Sequence, residues 1–368
     1  MKTNAAVLWR QGDPWSVEEI ELDPPQTGEV RVRIAAAGLC HSDEHVRCAD
    51  GVSYLPLIGG HEGAGVIEEV GPGVTELAVG DHVVFSFIPA CGRCKWCSTG
   101  RANLCDYGRF LMQGGAIAGG FRAHARTADL GMMTMVGAFA EQTVVHETSI
   151  VKIDSDIPLP QAALLGCAVP TGWGSSVNIG RVRPGDTVAV VGVGGIGANA
   201  VQGARMAGAS TIIAVDPAEF KRSQAKIFGA THAASSMSEA KELISALTNG
   251  EMASVAVCSI GVPQGSMMQE FTDLVSKGGR AVLTGVASGS DNTVTLGLQA
   301  FAMYEKSFLG TVYGGCSPRA DIPRFVELYR NGQLKLDELI TNTYSLDQIN
   351  EGYADMLSNK NIRGVIVF

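Results

Sequence analysis

Four of the chain's nine cysteines, Cys91, Cys94, Cys97 and Cys105, fall within fifteen residues. The spacing Cys-x2-Cys-x2-Cys-x7-Cys lets four thiolates converge on one small sphere, the geometry of a closed tetrahedral zinc site. Four protein donors leave no position for a substrate, so this metal is expected to be structural. An iron–sulfur cluster also draws on cysteines at two-residue intervals. Here the usual three-residue gap and following Cys-Pro are missing, since Cys105 comes after seven residues and precedes Asp106. Paired disulfides would need an oxidising compartment. The apolar run after Met1-Lys2 stops at Arg10, too early for a secretion signal, so a cytoplasmic location with metal-serving thiolates is expected.

A looser set of donors is Cys40 and His61, twenty-one residues apart, with Cys167 further along. Mixed Cys/His ligation by three protein donors leaves zinc a fourth position, the arrangement of a catalytic metal. Taken singly, each of the three is equally an ordinary core residue, and spacing alone leaves both readings open.

The third chemical feature is Gly192-Val193-Gly194-Gly195-Ile196-Gly197, which directly follows the apolar run Thr187 to Val191 and opens a small-residue helix reaching about Ala207. Glycines at such a strand-to-helix turn let the backbone approach a pyrophosphate at the helix N-terminus; a merely structural glycine turn is the alternative. Asp216 stands nineteen positions beyond Gly197, at the end of a second apolar strand, Thr211 to Val215. Its carboxylate can accept from both adenosine ribose hydroxyls and would repel a 2′-phosphate, so NAD is expected over NADP. Lys221 joins the cofactor-binding set, although on a helix it and Arg222 could simply face solvent.

The elements that must position these residues divide into two kinds. From Val30 to about Val84, short β-rich runs separated by Gly and Pro predict an all-β, barrel-like unit. After Pro184-Gly185-Asp186, strand and helix alternate: a helix from Pro217 to Phe228, a strand over 254–260, a helix over 265–276 and a strand over 280–285. Alternation of this kind predicts a parallel sheet with helices on both faces. A polar helix over 322–331, a helical pattern over 346–357 and a last strand, Val365 to Val367, complete the chain. At 368 residues two domains are the default, and 46% hydrophobic residues without a membrane-length run indicate well-buried cores. A net charge of −9 with scattered Lys and Arg argues against a nucleic-acid surface. Cys48, Cys258 and Cys316 are expected to be small buried hydrophobes.

In order along the chain, Cys40-His41-Ser42-Asp43-Glu44-His45, Gly60-His61-Glu62-Gly63-Ala64-Gly65, the four-cysteine lobe, Gly166-Cys167 and the glycine turn resemble the zinc-dependent alcohol dehydrogenases of the medium-chain dehydrogenase/reductase superfamily. The likeness covers nearly the whole chain. It implies an α/β fold in which a GroES-like, β-rich catalytic domain (1–168 and 313–368) flanks a Rossmann domain (169–312). It also implies two zinc ions per chain: a structural one in the lobe, and a catalytic one on Cys40, His61 and Cys167 with the carboxylates of Glu62 and Asp43 behind the ligands. Ser42 would touch the substrate oxygen and His45 would pass the alcohol proton to solvent while hydride moves from carbon to nicotinamide, although a loop histidine facing solvent is the plainer reading of His45. His41 and Arg363 match pyrophosphate contacts, with a structural salt bridge the alternative for Arg363. Thr171 matches a residue beside the nicotinamide or, equally, a helix cap. Phe87 and Val286, the latter counted with the cofactor site, would line an apolar slot that Met132, Met133 and Met135 could widen, although methionines are more often core filler.

Ser86-Phe87-Ile88-Pro89, Pro170-Thr171-Gly172-Trp173 and Asn361-Ile362-Arg363-Gly364-Val365-Ile366 are similar to the actinobacterial nicotinoprotein alcohol dehydrogenases, also called mycofactocin- or nitrosodimethylaniline-dependent. In that group NAD stays bound and an external redox acceptor such as mycofactocin reoxidises it. The leading expectation is therefore oxidation of primary or allylic alcohols, or reduction of the aldehydes, by a homo-oligomer, dimer or tetramer, that binds neither nucleic acid nor membrane. A second enzymatic reading is formaldehyde oxidation as a thiol adduct, for which Arg109 would bind the thiol's carboxylate. A third is a catalytically silent nucleotide-binding relative, which the retained metal ligands and the Ser42/His45 pair disfavour.

Overall fold

The computed structural model describes residues 1–48, 54–291 and 293–368. Thr187–Val191 is buried along almost its whole length because it lies inside a six-stranded parallel sheet. The sheet runs His232–Ala234, Thr211–Val215, Thr187–Val191, Ala253–Cys258, Val275–Leu283, Ser307–Gly310, which is 3-2-1-4-5-6 in chain order. Strand order reverses between Thr187–Val191 and Ala253–Cys258, and a crevice opens beyond their carboxyl ends at such a switch point. Gly192 and Ser259 therefore stand side by side at its rim, joined by a hydrogen bond from the Ser259 hydroxyl to the Gly192 carbonyl (2.6 Å).

The β-rich part holds a small closed barrel, Lys2–Leu8, Ser16–Leu22, Ala123–Ala125, Ala128–Met132 and Leu57–Ile58, and a seven-stranded sheet built on Glu29–Gly38. That central strand pairs with Gly63–Val70 along one edge. Its other edge is shared: residues 29–33 pair with Gln142–His146, and 36–38 with the last strand of the chain, Arg363–Val367. The C-terminus thus returns to complete a sheet begun some 330 residues earlier. One apolar core, including Val84, Leu164, Trp173, Val190 and Phe325, continues from this part into the parallel sheet.

Three local expectations are corrected. The helix expected over 265–276 is a turn of 3-10 helix, Gly265–Met267, and a short helix, Met268–Asp273. Val275 already pairs with Ala253, so the sheet claims residues the periodicity had assigned to the helix. The expected strand over 254–260 ends at Cys258, where the chain turns into the crevice. Cys258 and Cys316 are buried, but Cys48 is exposed, its thiol donating to Glu44 Oε1 (3.0 Å) at the end of helix His41–Cys48.

Deep in the β-rich part, Arg122 and Glu29 are 3% and 1% exposed and form a two-pronged ion pair at 2.7 and 2.9 Å. A buried pair is unforgiving of losing one member. Arg122→Met is expected to lower unfolding stability by about 3–5 kcal/mol, read as a shift in the denaturation midpoint, because it leaves the Glu29 charge uncompensated.

Candidate active site

Cys40 sits just past the end of Glu29–Gly38, His61 and Glu62 in the two-strand turn before Gly63–Val70, and Cys167 at the kink between the 3-10 turn Leu164–Gly166 and helix Ala168–Gly174. All four are buried, and their potential ligand atoms lie within 4.8 Å of one another. Asp43, fully buried in the first turn of helix His41–Cys48, accepts from the Gly60 backbone N–H (2.9 Å) and faces His61 Nδ1 at 3.3 Å. Donation from Nδ1 fixes the tautomer and leaves Nε2 as the ligating nitrogen. Burial pushes the His61 imidazole down, but the charges of Asp43 and Cys40 outweigh it and hold it well above its ordinary value. The Cys40 thiol lies well below its usual range because Cys167 donates a hydrogen bond to its thiolate, with His61 and Arg363 adding positive charge. Two thiols, an imidazole and a carboxyl gathered in a dry pocket form a donor set of the kind zinc takes. Glu62 Oε1, buried without a hydrogen-bond partner, points the same way.

Glu62 is not held by the donor set alone: its other oxygen is ion-paired with Arg363 Nη2. Burial raises the Glu62 carboxyl to about 7, against the pull of the Arg363 charge. The Arg363 stem packs on Gly195, where a Cβ would collide with it, so one side chain touches both the metal-binding group and the glycine turn. The salt bridge and the place beside the pyrophosphate loop, stated above as alternatives, coexist.

At the turn itself, Gly192 has φ +84 and a Cβ on Gly197 would run into the Gly192 carbonyl, so both glycines are demanded by the backbone. A Cβ on Gly194 would meet nothing within 4 Å. That open side faces the cleft at the N-terminus of helix Gly195–Met206, which is where an anionic phosphate is best received. Asp216 braces the turn, accepting from Val193 N and Ala218 N, both at 2.9 Å, and still lines the cleft with its remaining lone pairs. Lys221 does not face solvent: it is 8% exposed and lines the same cleft. Arg222 is tied to the Asp216 and Pro217 carbonyls instead.

The cleft measures about 730 Å³ and runs from the thiols of Cys40 and Cys167 to Asp216. His41, Ser42, His45, Thr171, Ile196 and Val286 also line it. Thr171 lies inside helix Ala168–Gly174 and caps nothing, since Cys167 occupies the N-cap position. Phe87 stands edge-on to both His61 and Tyr313, giving the cleft an apolar wall against the donor group. Met132, Met133 and Met135 are buried core residues that do not line the cleft, which corrects the expectation that they widen it. Arg109 is exposed, its guanidinium 4.7 Å over the Phe110 ring, and does not line the cleft either, so the thiol-adduct reading finds no anion receptor there. Sequence reasoning missed Tyr313 and Asn359, both cleft residues that carry no motif.

The second thiol group is Cys91, Cys94, Cys97 and Cys105, also within 4.8 Å of one another. The short helix Lys95–Ser98 turns the Cys97 N–H toward Cys94 Sγ (3.5 Å), and Cys91 N–H points at Cys105 Sγ (3.4 Å). Burial acts against the Cys94 thiolate, but backbone N–H donors prevail and lower it to about 6, whereas burial drives Cys105 to about 12. In the lobe all four donors are cysteine sulfurs, which fits a closed structural zinc.

Residues 26–155 match the family model of the alcohol dehydrogenase GroES-like domain, and 195–331 that of zinc-binding dehydrogenases. The chain is 50% identical over 367 residues to the NDMA-dependent alcohol dehydrogenase of Amycolatopsis methanolica, covering 100% of this chain and 99% of that one. It belongs to the zinc-dependent alcohol dehydrogenases of the medium-chain superfamily. Among solved structures, an alcohol dehydrogenase zinc-binding domain protein from Burkholderia ambifaria superposes with a TM-score of 0.93 at 32% identity, covering 100% and 99% of the two chains. Benzyl alcohol dehydrogenase from Acinetobacter calcoaceticus gives 0.89 at 30%, with the same coverage. This alcohol dehydrogenase matches a zinc-binding family, and its two cysteine-bearing groups fit two zinc sites. No helix among the described residues is long and apolar enough to cross a membrane. Asp43→Ala, which removes the acceptor for His61 and Gly60, is expected to weaken zinc retention in the Cys40 group about 10- to 100-fold, measured as metal content after graded chelator dialysis.

Proposed function

We propose that this alcohol dehydrogenase oxidises primary and allylic alcohols while keeping NAD bound between turnovers, an external two-electron acceptor of the mycofactocin type reoxidising it. The observation that carries the reading is one continuous cleft joining the Cys40/His61/Cys167 donors, an apolar wall and the glycine turn, so alcohol and nucleotide meet in a single cavity. Full-length similarity to an enzyme named NDMA-dependent supports retention of the nucleotide. The residues assigned above fall into a division at 1–168 with 313–368 against 169–312. A cytoplasmic location accords with this chemistry. Leu298 and Met303, 81% and 72% exposed on a helix leading into the edge strand Ser307–Gly310, favour a homo-oligomer.

When bound, zinc supplies Lewis acidity at the alcohol oxygen and NAD accepts the hydride. Cys40, His61 and Cys167 would hold the metal, with Glu62 beside them and Asp43 orienting the imidazole. Ser42, whose hydroxyl is 3.7 Å from Cys40 Sγ, receives the alcohol proton. His45 lies three residues on, on the same helix face, with a buried Nε2 lacking a partner, and passes that proton outward. Phe87 gives the carbon that would lose hydride an apolar wall beside the donor group. Gly194, Gly195 and the helix N-terminus receive the pyrophosphate with His41, whose imidazole burial holds below its ordinary value. Asp216 takes the adenosine ribose.

Protein purified without added cofactor, desalted and denatured is expected to release close to one NAD(H) and two zincs per chain. It should also turn over allylic alcohols with nitrosodimethylaniline and no added NAD. An empty nucleotide site, with turnover only when NAD is supplied, would overturn retention. Cys40→Ser is expected to abolish turnover in a folded protein; unchanged turnover would sink the zinc-based mechanism.

A further inference from the structure

Among the described residues the Lys221 ammonium has no carboxylate hydrogen-bonded to it. It is 8% exposed, and it donates to Asn359 Oδ1 at 2.6 Å, a neutral amide 138 residues away. Lys221 rides on helix Glu219–Phe228, which follows the strand ending beside Asp216. Asn359 follows helix Ile349–Leu357 and leads into Arg363–Val367, the strand that belongs to the other sheet. Both residues line the cleft at its Asp216 end. One hydrogen bond therefore joins the two sides of the cleft near Asp216, the residue placed to take the adenosine ribose.

Neither side of this bridge is slack. Asn359 holds φ +57, a left-handed residue just past a helix end, a position asparagine tolerates well. Its N–H donates to Met356 O (3.1 Å), the Lys360 N–H donates to Asp355 O (3.0 Å), and the Lys360 ammonium reaches Asp355 Oδ1 (3.1 Å). On the opposite side, burial lowers the Lys221 ammonium with only the Asp216 charge opposing it. A cation so poorly compensated gains from a further oxygen acceptor, which a ribose hydroxyl shared with Asp216 supplies.

We propose that Asn359 is a cofactor-retention residue: with Lys221 it latches the adenosine end of the cleft, so that NAD leaves only when this bridge opens. The proposal rests on the retention reading above and assigns its physical cause. A hydrogen bond to a charged donor is worth enough to slow escape roughly ten- to hundred-fold.

Asn359→Gly tests it, because glycine adopts the left-handed conformation without cost and removes only the amide. Holoenzyme of each form is desalted, residual NAD(H) per chain is quantified, and exchange against isotope-labelled NAD is followed by mass spectrometry. The wild type is expected to keep its nucleotide, and N359G to exchange it roughly ten- to hundred-fold faster with zinc content unchanged. Should the wild type retain nucleotide and N359G exchange at the same rate, with or without a lower unfolding midpoint, the latch is wrong and retention stands. A wild type that loses its nucleotide on desalting removes the retention reading and the latch together.

Discussion

A carboxyl group and a guanidinium, Glu62 at 0% and Arg363 at 5% exposure, share one dry site from positions 301 residues apart. Neither charge would be tolerable there alone, since the penalty for burying an ion is offset only by a close opposite charge. Much of the architecture follows from their meeting. Glu62 belongs to the donor group of Cys40, His61 and Cys167, while the Arg363 stem supports the glycine turn at Gly195. The last strand pairs with Glu29–Gly38, and its first residue, Arg363, stands between the metal-binding group and the glycine turn.

From that junction the electrostatics of the cleft take their order. At one end Cys40 is driven toward thiolate by the Cys167 hydrogen bond and by positive charge from His61 and Arg363. At the other, Asp216 spends a lone pair from each oxygen on bracing the glycine turn and keeps the rest for a ligand. Between them burial holds the His41 imidazole below its ordinary value, and the helix N-terminus and the open flank of Gly194 offer a place for a phosphate. Phe87 and Val286 add apolar lining to the same cleft.

How much of this could be read along the chain depended on whether a function was local. The cysteine lobe and the glycine turn were legible, because the residues that meet in space lie within fifteen positions in the sequence. Cys40, His61 and Cys167 come from three separate elements, and spacing alone left them ambiguous until the resemblance joined them. Lys221 read as a cofactor-site residue with a solvent-facing helix position as the alternative, but its contact with Asn359 leaves no mark in either segment. Where the 265–276 periodicity suggested a longer helix, pairing of Val275 with Ala253 decided otherwise, a case of sheet register overriding local propensity. The three methionines could be read as pocket lining or as core filler, since their flexible side chains suit both, and they are core.

The central claim is that Glu62 and Arg363 act as one unit on which both ends of the cleft depend. It is tested most directly by a double-mutant cycle of Glu62→Gln and Arg363→Met, followed by chemical unfolding and by zinc content. Each single change is expected to cost about 3–5 kcal/mol by stranding the other partner, with the double variant falling short of the sum by about 2 kcal/mol or more. Additive costs within about 0.5 kcal/mol, with zinc retained in both single variants, would contradict the account.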